Sequence, residues 1–229
     1  PDDGGDFVTD AHFHRNGFDT FLVTNGHEVA FHGLHPWQSA ACSDIPAALA
    51  GIRARLEADA RAGVGEIGLD RLKTKAVPDA QRALFAAQLA LAAERRRPVV
   101  LHGAKCWGEV VAACCPHAGR IPAFLFHGFS RSAGLLPQIF ALNGFVSVGP
   151  ALLNDHAVNY RELVKGLPSE RLLVETDACC AAGDAAAEEG RAALLARLVQ
   201  ALAALRGRPE AEIEAAVAAN AARFVEALA

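Results

Sequence analysis

Methionine is missing altogether from the 229 residues, and there are only one tyrosine and two tryptophans. At ordinary usage of about 2%, roughly five methionines would be expected. No CxxC pair occurs among the six cysteines (Cys42, Cys106, Cys114, Cys115, Cys179 and Cys180). That excludes a zinc-finger spacing, and a disulfide framework is not expected in a chain of this size, so reduced thiols in the cytoplasm are the expectation. No secretory leader is visible. The longest apolar run, around Ala192 to Leu205, carries Arg197 and Gln200, so it reads as an amphipathic helix and no membrane association is expected. A formal charge of -4 provides no global basic field for nucleic acid, and the contiguous Arg95, Arg96 and Arg97 read as a solvated helix end. Serine and cysteine hydrolase chemistry is weakly supported: there is no GxSxG elbow, and Cys106 has no flanking signature.

What is present suffices for a large core. Hydrophobic residues make up 52% and charged residues 21%, and one domain spanning 1–229 is expected. Strand and helix patterns alternate. Strands are expected at 7–14, 21–24, 29–35, 64–70, 98–102, 123–127, 144–149 and 172–177. Helices are expected at 43–62 with Ser43 as N-cap, at 79–97, 107–115, 132–142 and 158–165, and through most of 185–228 with Pro209 at its last N1 position. Fully apolar strands alternating with helices predict an α/β fold with both sheet faces covered, and the seven or eight strands fit a TIM (β/α)8 barrel.

The segment Gly65-Glu66-Ile67-Gly68-Leu69-Asp70 places a carboxylate inside an apolar strand. A buried ionised acid needs a cation or donors around it. Other strands end in polar residues too: His12 and His14, two apart and so on one strand face, then His102, His127 and Asp177. In a β/α barrel such ends meet on one face, where active sites are built. Four histidines with Glu66 and Asp177 can hold two divalent cations, with Glu66 bridging. The donor set suits zinc, manganese, iron or cobalt without selecting among them, and magnesium also stays open. His35, before Pro36, reads first as a turn histidine and second as a residue lining the site.

These motifs resemble, in order, the TatD family of metal-dependent hydrolases. The match runs through His12-Phe13-His14, Gly33-Leu34-His35-Pro36-Trp37, GEIGLD, Gln81, Phe85 and Gln88, and PVVLH. It continues through His127-Gly128-Phe129-Ser130, Ser147-Val148-Gly149, LVETD, and Asn220 with Phe224. The resemblance implies an amidohydrolase-superfamily barrel that hydrolyses phosphodiesters, often as a deoxyribonuclease on DNA ends. It implies His12, His14 and Asp177 on one metal, His102 and His127 on the other, Glu66 bridging, and Asp177 as general base. DNA ends or a small phosphodiester are the expected substrates, for a monomer or small homo-oligomer. Hydrolysis of an amide, ester or lactone is the alternative reading, and a non-catalytic metal-binding barrel is the third.

Three departures from the family pattern stand out. Only twenty residues separate His14 from His35, where the family has room for a strand and two helices. The barrel is therefore trimmed there or residues are missing from the sequence, and the absent methionines favour the second. Ala104 replaces the family's Arg two residues past the PVxIH histidine, and Lys105 is the expected substitute as a phosphate contact, without the bidentate fork. Cys179, Cys180 and alanines follow the acidic strand in place of a proline and an Arg-Asn-Pro-like segment.

Overall fold

A computed structural model describes residues 9–130 and 133–227. The ends of three expected elements (Phe7 and Val8, Ser132, Leu228) lie outside them. Five apolar segments form one parallel sheet in chain order: β4 (Val64–Asp70), β5 (Val99–Ala104), β6 (Phe124–Phe126), β7 (Gly144–Val148) and β8 (Leu172–Val174). Every residue of β4, β6, β7 and β8 is buried, as expected when a parallel sheet is covered on both faces. The connections are helical: α2 (Asp79–Arg95), α3 (Trp107–Cys114), α4 (Leu136–Ala141) and α5 (Val158–Gly166), with α1 (Ile45–Ala58) leading into β4. The long α6 (Ala185–Arg206) and α7 (Glu210–Glu226) follow β8. Asp44 caps α1 in place of Ser43, because its carboxylate accepts the Ala47 N–H. Pro209 sits one position earlier than expected, as the residue before α7.

The first three strands depart from a (β/α)8 barrel. β1 (Asp10–Arg15), β2 (Asp19–Thr24) and β3 (His27–Phe31) form an antiparallel meander with no helix between them. The turns explain this. Asn25 and Gly26 both have positive φ (50° and 72°), and Thr24 pairs with His27 across them. That is the two-residue turn whose twist matches paired strands. Asn16 (φ 50°) and Gly17 (φ 91°) turn the first hairpin. Backbone hydrogen bonds join the two sheets along both edges. His14 and Cys180 bond across one seam (His14 N–H to Ala178 O, 2.8 Å; Cys180 N–H to His14 O, 2.9 Å). His32 and Gly63 bond across the other (His32 N–H to Gly63 O, 3.0 Å; Gly63 N–H to Ala30 O, 3.0 Å).

Phe224 on α7 stacks on Phe31 and meets Phe145 edge-on, so one ring joins both sheets. Asn220, one turn earlier, donates to the carbonyls of Leu172 (2.6 Å) and Ser169 (2.7 Å), anchoring α7 to the start of β8. The arginine run follows the bland reading. Arg95 pairs with Glu57, and Arg97 donates to the Leu56 and Ala60 carbonyls, which ties α2 to α1. Among the described residues no helix is long and apolar enough to cross a membrane.

Candidate metal centre

Strand alternation places His12 and His14 on one face of β1, past a register shift that sets Asp10 apart, and β4 brings Glu66 and Asp70 to the two nitrogens of His102. His102 lies within β5, and His127 directly follows β6. Asp177 stands three residues past β8, which stops at Val174, short of the expected end, and its backbone turns out at φ 51°. His12, His14, His102 and His127 converge on the carboxylate of Glu66, which is 3% exposed, and Asp177 meets the first two.

The two oxygens of Glu66 face different partners. Oε2 lies 3.6 Å from His12 Nε2 and 3.5 Å from His14 Nε2. Asp177 Oδ1 lies 3.5 and 3.4 Å from the same two nitrogens, which are 3.1 Å apart. A tetrahedral cation about 2.1 Å from each donor would require donor separations of about 3.4 Å. The donor atoms of His12, His14 and Asp177 therefore lie at the spacing of ligands around one divalent metal, with Glu66 Oε2 beside the two histidine nitrogens. On the other side, Oε1 is 2.6 Å from both His127 Nε2 and His102 Nδ1, and these nitrogens are 3.3 Å apart. Such short contacts need a proton on each imidazole, and a cation would take the place of those protons.

The electrostatics agree with that exchange. Burial raises the Glu66 carboxyl, but the imidazoles of His127, His102 and His12 outweigh it and hold it well below the carboxylate range. Burial and His127 push the His12 imidazolium down, yet its bonds to Asp177 and Glu66 bring it to about 9. Asp177 is likewise penalised by burial, but His12 and His14 hold it far below the carboxylate range.

Carboxylates orient the histidines from behind. Asp70 Oδ2 lies 3.1 Å from His102 Nε2 and accepts Trp37 Nε1–H at 2.8 Å, while Oδ1 accepts the Leu72 N–H at 2.7 Å. Burial opposes its charge, but the donors, His102 foremost, bring Asp70 down to about 2. Glu175 Oε1 lies 3.6 Å from His127 Nδ1 and accepts the Gly128 N–H at 2.7 Å, while Oε2 accepts Ser147 Oγ–H. Asp10 accepts the Thr176 N–H (2.9 Å), the Thr176 hydroxyl (2.7 Å) and Arg191 (3.1 Å), which holds the segment carrying Asp177 against β1. Of these, Asp70 is within hydrogen-bond distance of an imidazole and so sets the tautomer of His102. Gln81 and Gln88 of the sequence motif have structural duties here: Gln81 accepts the Asp70 N–H, and Gln88 bonds both backbone groups of Leu34.

His35 is both a turn residue and a site residue. Its Nδ1 accepts the Trp37 N–H (3.2 Å), and its Nε2 lies 3.7 Å from Glu66 Oε1. Burial lowers its pKa to about 4, so the ring is neutral. With Nδ1 accepting, the proton sits on Nε2, a nitrogen that also lies close enough to Glu66 and His102 to form a donor group with them. Lys105 and Arg71 line one wall of a cavity of about 800 Å³ that opens over His102, His127 and Asp177. Arg71 donates to the Lys105 carbonyl at 2.7 Å. Reading the sequence passed over Arg71, Asp70, Glu175 and Asp10. The period-2 alternation that singles out Glu66 and His12 would have found Asp70 and Asp10, while Arg71 carries no local signal.

Comparison with known proteins places this geometry. The family model described as "TatD related DNase" matches residues 18–226. The protein named 3′-5′ ssDNA/RNA exonuclease TatD from Pectobacterium carotovorum subsp. carotovorum (strain PC1) is 33% identical over 147 residues, which is 64% of this chain and 56% of that protein. An uncharacterized metal-dependent hydrolase, YabD of Bacillus subtilis (strain 168), is 32% identical over 114 residues, 50% of this chain and 45% of that one. The chain thus spans about half the length of the curated relatives it matches. Among solved structures, the TatD homologue YJJV of Escherichia coli K12 superposes with a TM-score of 0.70 at 28% identity, covering 85% of this chain and 75% of that one. A TatD family hydrolase from Entamoeba histolytica shares the fold at a TM-score of 0.68 and 17% identity, over 85% and 73% of the two chains. With the motifs falling in one site and the match running almost end to end, the chain belongs to the TatD family.

Proposed function

We propose that this chain, acting as one domain, is a two-metal hydrolase that cleaves phosphodiester bonds at the ends of single-stranded nucleic acid, DNA foremost. The division of the Glu66 carboxylate carries the reading: Oε2 faces His12 and His14, and Oε1 faces His102 and His127. One cation would be held by His12, His14, Asp177 and Glu66, the other by Glu66, His102 and His127. Such cations supply a Lewis acid for the phosphoryl oxygen and lower the pKa of water.

The remaining steps rest on side chains. Asp177, kept ionised by its histidine neighbours and 48% exposed to the cavity, is placed to take the proton of the attacking water. His35 offers its Nε2–H to a phosphoryl oxygen. Arg71 and Lys105 meet the phosphate charge, and Arg71 restores the bidentate fork missing at Ala104. This removes the main motive for an amide, ester or lactone substrate, and the intact donor set speaks against a non-catalytic barrel. Six free thiols support a reducing, cytoplasmic setting, and the relatives named as exonucleases support the substrate class.

The test is elemental analysis of the purified protein together with assays on end-labelled single-stranded DNA and a nitrophenyl phosphodiester. Two divalent ions per chain and stepwise shortening of the strand are expected. Bound metal with no cleavage of either substrate would overturn the proposal.

A further inference from the structure

Three of the four large hydrophobic side chains exposed among the described residues stand at the rim of this centre: Phe18 (42%), Trp37 (54%) and Leu72 (51%). The chemistry above uses none of them. Exposed apolar groups that gather rather than scatter mark a binding surface. Phe18 lies parallel to the His35 ring with centroids 5.2 Å apart, and Trp37 stands edge-on to it at 4.8 Å. Phe18 and Trp37 meet each other at 6.4 Å. On its far side His35 packs against His102 at 4.5 Å, so one side chain separates these rings from the candidate metal centre.

The surroundings narrow the occupant. Lys73 Nζ lies 5.4 Å from the Trp37 ring, and Arg71 and Lys105 line the adjoining cavity. Two fixed rings beside a cationic track match the chemistry of a single nucleic-acid strand, in which planar bases alternate with phosphates. Three side chains fall far short of the roughly 20–30 residues a side of a stable protein interface. Phe18 also sits in the first hairpin turn of the meander, where a (β/α)8 barrel has no counterpart.

We infer that Phe18 is a platform on which a base beside the scissile phosphate stacks, with Trp37, set at 85° to it, walling one side. The inference rests on the nuclease reading above. It makes the enzyme tolerant of base identity, because stacking engages the π-face common to all bases, and intolerant of a missing base.

The experiment compares KM on a mixed-sequence DNA strand with KM on the same strand carrying tetrahydrofuran abasic residues at its ends, using the metal-loaded enzyme. Alanine replacement of a stacking ring typically costs about tenfold or more in binding. The natural protein should therefore favour the complete strand by about that factor. Phe18→Leu, which keeps the volume but not the ring, should lose most of the preference. Trp37→Phe should retain it, even if kcat falls with the Asp70 hydrogen bond. Trp107 is buried, so a cleavage-resistant phosphorothioate strand should quench the exposed Trp37 emission, and the abasic strand should not. Equal KM values on the two strands, or an undiminished preference in Phe18→Leu, would overturn the platform. Failure to cleave either strand would instead overturn the nuclease reading.

Discussion

Replacing Asp70 by Asn isolates one half of the centre. The two carboxylate oxygens of Asp70 face only donors: Oδ2 meets Trp37 Nε1–H and His102 Nε2, and Oδ1 meets the Leu72 N–H. An asparagine has one acceptor oxygen, so in either orientation its NH2 points at a donor. If it faces His102, the imidazole is pushed to the tautomer with its proton on Nδ1, the nitrogen that looks at Glu66 Oε1 from 2.6 Å. That nitrogen can then no longer bind a cation. Loss of such an outer partner weakens metal binding by about 10–100-fold, or about 1.4–2.8 kcal/mol at 1.4 kcal/mol per factor of ten. The cost falls on one ion, because His12, His14 and Asp177 have no contact with Asp70. Calorimetric titration of the metal-stripped variant should show one ion bound as in the natural protein and the second weakened, with turnover falling in parallel. Two unchanged affinities, or equal weakening of both, would refute the assignment of Asp70 as the orienting partner of His102.

Glu66→Gln removes the charge common to both donor sets. Elemental analysis should find both ions lost and activity at background, and full activity would sink the site assignment. Metal binding should also report on His12. The stability due to its raised pKa is fully present below pH 6.5 and lost as pH rises through about 9. A cation must displace that proton, so the gain in Tm on adding metal should grow between pH 6.5 and 9, measured against an EDTA-treated control; a flat gain would count against it. Gly68→Ala puts a methyl 2.0 Å from the His102 carbonyl oxygen, at a φ of 155°. Denaturant unfolding should show a loss of about 1–3 kcal/mol, and no loss would mean that β4 and β5 are less tightly apposed than described.

The five parallel strands and the polar residues of the candidate site could be read from the sequence because burial writes them plainly. Runs such as Leu172-Leu173-Val174 tolerate no polar interruption, so Glu66, His12 and His14 stand out against them. The direction of β2 was legible too. Phe21 to Thr24 looks the same in either orientation, but the Asn-Gly dipeptides at 16–17 and 25–26 are sequence signals for hairpins and decide the matter. Asp10, Asp70 and Glu175 act through histidines and backbone groups brought near by the fold. Arg71 reaches Lys105 from 34 residues away, and the exposure of Trp37 depends on what does not cover it. Asp10 and Asp70 share the even spacing of the donors on their strands, and the rest do not follow from composition or spacing.

The seam between β1 and the segment after β8 joins groups 166 residues apart, such as Asp10 and Thr176. The candidate donor set around Glu66 Oε2 straddles it, with His12 and His14 on one bank and Asp177 on the other. An ion held there would act as a removable cross-link between β1 and the segment after β8, contributing RT ln(1 + [L]/Kd) only while the seam is shut. Opening of that edge would then be governed by free metal concentration. Amide hydrogen exchange at His14 and Cys180, whose N–H groups span the seam, should slow on metal addition far more than exchange in the β5–β7 interior.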